Sequence, residues 1–305
     1  MMESQFLETS PDTVIHFRIT KTPSTSDQQM KSPLVVFLHY WGGSSATWHK
    51  LTSSESPLSL STRYPSVSID LRGWGQSTEP VHGATAGDYS ITPMASDVVS
   101  VLNHLKTGLT TTTRFENGIV LVGHSMGAKV ALAALCSLPD DMLVLIKGLV
   151  LVAPAPPTPL ALPLEMSEQQ RRAYDTEESV RWTVQNVLSN QERLTDEDLS
   201  MIVRDTLAGN TLAKDGWILH GMQEDISPAV DELSSRPNAT GIKISVLAGE
   251  LDMVEQKDRV EHEVVQALTA RGFPVTFTVL KDVKHLIPVE DPEAISRAIS
   301  TLLAD

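Results

Sequence analysis

The sequence of 305 residues predicts an α/β protein, with a mostly parallel central sheet and helices on both faces. Three observations carry that reading. Short, continuous apolar runs recur along the chain, as strands buried on both faces require. Helical patterns separate them, and strands alternating with helices favour a parallel sheet. One long stretch breaks the alternation with helical patterns only.

In chain order, residues 13–20 (TVIHFRIT) alternate as a strand does, and 21–33 (KTPSTSDQQMKSP) form a polar connection ending in proline. The run 34–38 (LVVFL) has the character of a central strand. Further strand runs follow at 67–71, 119–122, 148–152, 242–248 and 275–280. Helical patterns occupy 93–106, 125–138, 255–270 and 292–303. After Val152 comes APAPPTPLALPLEM, whose prolines exclude the interior of a helix or sheet. From Ser167 to Gly221 only helices are predicted, with starts at Ser167 and Thr195. A helical block inserted between two core strands reads as a lid. The biased stretches are the Thr-rich 107–113 and the Pro-rich 153–163.

A formal charge of -14 argues against nucleic acid or an anionic membrane surface as a partner, since both attract basic patches. The single cysteine, Cys136, lies in an apolar helical stretch and reads as a buried, inert thiol. The amino terminus MMESQFLETSPDTV has no basic segment followed by an apolar core, and no apolar run approaches the ~20 residues of a membrane span. A cytoplasmic protein acting on a small molecule is the expectation. Its oligomeric state is not encoded in any feature of the sequence.

Gly123-His124-Ser125-Met126-Gly127 sits between the run 119–122 and the alanine- and leucine-rich stretch from Ala128 to Leu138. This is G-x-S-x-G at a strand-to-helix turn. The glycines are a steric requirement of so sharp a turn, which holds the serine in a strained conformation above the sheet. The next amide, that of Met126, lies at a helix amino terminus and favours an anion.

With that turn, the chain resembles the α/β-hydrolase superfamily over roughly 34–153 and 242–303. The segment Asp70-Leu71-Arg72-Gly73-Trp74-Gly75-Gln76-Ser77 is similar to the D-x-R-G-x-G-x-S of its carboxylesterase, cofactor-free haloperoxidase and C–C hydrolase branch, as is Val150-Leu151-Val152-Ala153-Pro154. The resemblance implies an α/β-hydrolase core at 1–154 and 227–305, with a helical lid inserted at 155–226. It also implies a triad in the chain order nucleophile, acid, histidine.

Ser125 would be the nucleophile. His285 follows the last strand run, and its HLIPVEDPE context resembles the family's final loop; its imidazole would take the serine proton and return it to the leaving group. Glu250 and Asp252 both follow the penultimate strand run. The family pattern G-x-x-D selects Asp252 as the acid that orients His285. The turn residue His124, and His104 and His220 on helical stretches, are weaker candidates. Asp70 reads as a holder of turn structure.

Two amides would stabilise the oxyanion: that of Met126 and, by the resemblance, that of Trp41 in His39-Tyr40-Trp41-Gly42-Gly43. Tyr40 stands where relatives have glycine, and it is expected either to close part of the pocket or to alter the loop backbone that presents the Trp41 amide. Leu160 and Trp217 join Tyr40 as substrate-binding candidates. Trp182, Leu219 and Met222 are further apolar residues on the inserted helices, which pack onto the core or line the pocket. The pocket should be largely apolar with few charges.

A serine at the elbow excludes the aspartate chemistry of the fold's epoxide and haloalkane hydrolases and favours acyl transfer. The function expected is hydrolysis of a small to medium, largely apolar carboxylic ester or lactone. Hydrolysis of C–C bonds in β-diketone-type substrates with the same triad is the first alternative. A ligand-sensing receptor on the same scaffold with little turnover is the second. The GHSMGA run also resembles type II thioesterases, but no acid stands between 153 and 160, after the earlier strand. His262-Glu263 lacks the second histidine of a zinc-protease helix, and no phosphate-binding glycine motif occurs. No cofactor or metal is expected.

Overall fold

The computed structural model describes residues 2–21, 32–77, 83–107, 117–160 and 162–304. Most of the polar connection 21–33 and of the Thr-rich stretch 107–113 lies outside the described residues. Eight strands form one sheet: β1 (Met2–Ser10), β2 (Thr13–Thr20), β3 (Leu34–Leu38), β4 (Ser66–Ile69), β5 (Ile119–His124), β6 (Ile146–Val152), β7 (Lys243–Gly249) and β8 (Val275–Leu280). Their order is β1-β2-β4-β3-β5-β6-β7-β8. β1 and β2 pair antiparallel, as do β2 and β4, and every other pairing is parallel.

The apolar runs form strands because the sheet is covered on both faces. In β3, Leu34, Val36 and Leu38 enter one apolar cluster while Val35 and Phe37 enter the other; β5 divides in the same way. Helices Ile91–Thr107 and Met126–Ser137 supply the first cluster, and Pro292–Leu303, with Trp48, Leu51 and Leu60, supplies the second. β1 escaped the sequence reading. Its alternation is of exposed and half-buried positions, which carries almost no apolar signal. A tight turn at Asp12, with φ of 65°, folds it back onto β2 at the sheet edge.

Between β6 and β7 the chain is helical: Leu164–Arg172, Glu177–Thr183, Asp196–Ala208, Thr211–Gly216 and Ser227–Ser234. Thr195 caps Asp196–Ala208, its side chain accepting from the Asp198 amide. The start expected at Ser167 is instead at Leu164, because Pro163 suits the turn before a first helical residue. No described helix is long and apolar enough to cross a membrane.

Candidate active site

β5 ends at His124, and the helix Met126–Ser137 begins one residue after Ser125. Ser125 has φ 55° and ψ -116°, a conformation that costs about 1–3 kcal/mol for a residue other than glycine. The Ser125 amide donates to Val152 O on β6, at 2.9 Å. Both neighbouring glycines are required. A Cβ on Gly123 would run into the backbone of Gly127 and Ala128, and one on Gly127 into the carbonyl oxygens of Leu38 and His39. The elbow is therefore wedged against the end of β3.

His285 lies in the loop after β8, fully buried, with its Nδ1 2.8 Å from Asp252 Oδ2. A carboxylate only accepts, so Nδ1 carries the hydrogen and Nε2 is left as the base. Asp252 Oδ1 accepts the amides of Val254 and Glu255, at 2.8 and 3.0 Å. Burial alone would depress the His285 pKa. The charge and hydrogen bond of Asp252, with the charges of Glu255 and Glu290, outweigh it and hold the imidazole above its ordinary value. Glu250 is exposed and accepts from the Asp282 amide at 3.3 Å, away from the imidazole. His124 is buried and neutral: burial drives its pKa well down, and its Nε2 is 2.8 Å from the His285 carbonyl oxygen.

The loop after β3 is held from both sides. His39 Nδ1 donates to Tyr40 O at 2.7 Å, and its Nε2 accepts the Leu71 amide at 2.9 Å. The inserted helices supply the rest. Thr206 Oγ1 donates to Gly42 O at 2.9 Å, the Tyr174 hydroxyl donates to Trp41 O at 3.2 Å, and Trp41 Nε1 donates to Lys214 O at 3.1 Å. Trp41 and Tyr174 stack with ring centroids 4.0 Å apart. Asp70 binds the amides of Ser45 and Gln76 and the ring of His16, which fixes the neighbouring turn.

Ser125 and His285 open onto one cavity of about 620 Å³, a size that suits a small-molecule ligand. Tyr40, Trp41, Leu160 and Trp217 all line it, as do Met222 and the half-exposed Trp182. Met126 is buried behind the elbow and does not line it, and Leu219 points to solvent. The wall is mostly apolar, but against the expectation of few charges it carries four charged side chains, Arg172, Glu178, Glu255 and Arg259. Buried Glu255 and the partly exposed Arg259 form an ion pair, Arg259 Nη2 to Glu255 Oε2 at 2.5 Å. Burial pushes the Glu255 carboxyl up to about 7. Cys136 lies in the helix after the elbow, where burial raises its thiol to about 12.

Sequence reasoning missed the groups that mount the histidine. Leu188 O accepts the amides of both His285 and Leu286, each at 3.0 Å. Glu290 Oε2 accepts the amides of Asn190 and Lys284, each at 3.0 Å. The inserted segment around 188–190 is thus bonded to the histidine loop itself. Nothing in its composition signals this, since the bonds run through backbone atoms.

The sequence profile of the Alpha/beta hydrolase family matches residues 35–298. Over 108 residues the chain is 32% identical to a 2-(acetamidomethylene)succinate hydrolase of Mesorhizobium japonicum, covering 35% of this chain and 32% of that one. It is 26% identical over 185 residues to protein phosphatase methylesterase 1 of Debaryomyces hansenii, covering 58% and 44%. The matches span less than half the length of either relative. Among solved structures, a bromoperoxidase from Bacillus anthracis superposes with a TM-score of 0.74 at 15% identity, covering 99% and 100% of the two chains. The enol-lactonase of Burkholderia xenovorans gives 0.73 at 16%, covering 99% and 100%, and an esterase of Thermogutta terrifontis 0.71 at 21%, covering 99% and 98%. The chain belongs to the alpha/beta hydrolase family.

Proposed function

We propose that this member of the alpha/beta hydrolase family is a serine hydrolase of small to medium, largely apolar carboxylic esters or lactones. The observation that carries the reading is His285, bonded to Asp252 through Nδ1 and opening with Ser125 onto one cavity. His285 Nε2 takes the Ser125 proton as the hydroxyl attacks the ester carbonyl, and the oxyanion that forms is met by the Met126 and Trp41 amides. The imidazolium, stabilised by Asp252, then protonates the leaving alcohol. Water, activated by the same imidazole, releases the acid from the acyl-enzyme.

Three further features support the reading. Ser125 is held strained at a helix amino terminus, where an anion is favoured. The wall built from Tyr40, Trp41, Leu160, Trp217 and Met222 suits an apolar acyl or alkoxy group. The helices inserted between β6 and β7 cover the cavity and act as its lid. Relatives named as a methylesterase, an esterase and an enol-lactonase are consistent with acyl chemistry.

The test is the intact mass after treatment with a fluorophosphonate, with Ser125→Ala alongside. One adduct on the parent and none on the variant is expected, with turnover of aryl esters. An unlabelled parent that binds but does not cleave such esters would move the protein to a ligand-sensing role. Labelling with turnover of diketones but not esters would move it to C–C hydrolysis.

A further inference from the structure

Among the groups lining the cavity, Glu255 is unlike the rest. It is a carboxyl 2% exposed, three residues beyond Asp252 and on the cavity wall. Its amide is spent on Asp252 Oδ1. Its Oε2 takes Arg259 Nη2, and the same nitrogen also donates to Val254 O at 2.6 Å, so the side chain is clamped from behind. No described residue donates to Oε1. Oε1 is not sealed in protein: with Glu255 on the cavity wall, it is the oxygen left for an occupant of the cavity to meet.

We propose that Glu255, clamped by Arg259, is the cavity's recognition residue and selects substrates that carry a neutral hydrogen-bonding group, a hydroxyl or carboxamide, away from the scissile bond. This rests on the hydrolase reading above and deepens it. The charge setting decides the class. Glu178 and Glu255 line the cavity against Arg172 and Arg259, so its wall has no excess of cations to hold a substrate carboxylate. Arg259 already balances Glu255, so a cation gains little. Near pH 7 the Glu255 carboxyl exchanges between acceptor and donor. A hydroxyl or amide, which both donates and accepts, answers either form.

The experiment compares aryl esters whose acyl chain carries a hydroxyl at successive carbons, each against the isostere with methyl in its place. Two readouts are taken: kcat/KM on the parent, and Kd of the intact ester on Ser125→Ala, which binds without turning over. At least one hydroxy ester should be preferred about tenfold or more by both readouts, because an apolar isostere leaves the buried acceptor unpaired. Glu255→Leu should erase or invert that preference, and Glu255→Gln should keep most of it. A parent that treats every pair alike, within about twofold, overturns the proposal. So does a preference that survives in Glu255→Leu. Since the Kd ratio needs no turnover, an inactive protein would sink the hydrolase reading and leave this ratio readable.

Discussion

Asp252→Asn isolates the part of the site that depends on a single hydrogen. In the parent, one carboxylate oxygen receives two backbone amides and the other receives His285 Nδ1–H. Asparagine has one acceptor and one donor end, so it must choose. If its oxygen stays with Val254 and Glu255, its NH2 faces His285 Nδ1 and forces the ring hydrogen onto Nε2, where the base is needed. If it turns over, two buried amides lose their acceptor at about 1–3 kcal/mol each. The difference is at least about 2 kcal/mol, on the order of 30-fold in population. The competent tautomer is then a minor species, and it also lacks the charge that stabilises the imidazolium. We expect kcat to fall by about 10³–10⁴, or roughly 4–5 kcal/mol of barrier, with folding intact. With the carboxylate gone, burial is opposed only by the charges of Glu255 and Glu290, and the acid limb of the residual activity should move to lower pH. Initial rates on an aryl ester, normalised by fluorophosphonate labelling, measure this. A loss below tenfold, or a larger loss for Glu250→Gln than for Asp252→Asn, would refute the argument.

Three other outcomes follow from the same structure. Gly127→Ala drives a methyl into the carbonyl oxygens of Leu38 and His39, and backbone cannot move aside. It should cost about 1–3 kcal/mol in urea unfolding and slow turnover more than tenfold by shifting the Trp41 loop; unchanged values for both would contradict the wedge. Activity should fall as pH drops through a His285 pKa above 6.5, and a pH–rate profile flat from about 5 to 8 would remove the imidazole base. Asp198 ties the inserted helix Asp196–Ala208 to Lys50 at 2.8 Å and to His49 at 3.3 Å. Burial would raise its pKa, but hydrogen bonds from His49, Lys50 and Thr195 lower it on balance. Its stabilisation is present above the ordinary carboxylate value, near 3.9, and is lost as pH falls through the depressed folded value. Asp198→Asn should therefore cost about 1–3 kcal/mol at pH 7, narrowing below about pH 4, as thermal unfolding across that range would show.

Much of this was legible in the chain because the signals are local. β3 and the run 119–122 of β5 are continuously apolar since both sheet faces are covered, and that alone marks a central strand. The helix Pro292–Leu303 matched its sequence boundaries because Asp291 caps it and Pro292 opens it. Gly123, Ser125 and Gly127 lie within five residues, so the elbow's steric demand is written where it acts. β1 was not legible, being an edge strand with no continuous apolar run. Nor was Tyr174, whose stacking on Trp41 spans 133 residues.

By itself, then, the sequence determined the layered α/β architecture and marked the elbow, because each depends on residue type at short spacing. It left Glu250 and Asp252 as rivals that only a family pattern separated. The tertiary structure separates them physically, with Asp252 on the imidazole and Glu250 in solvent. It alone decided that Asp252 and Glu255 turn inward while Glu250, Asp258 and Glu261 stay wet. It also bonded Leu188 and Glu290 to the histidine loop. Those outcomes depend on which distant backbone atoms arrive beside a side chain, and burial and long-range hydrogen bonding leave no periodicity in the chain to be read.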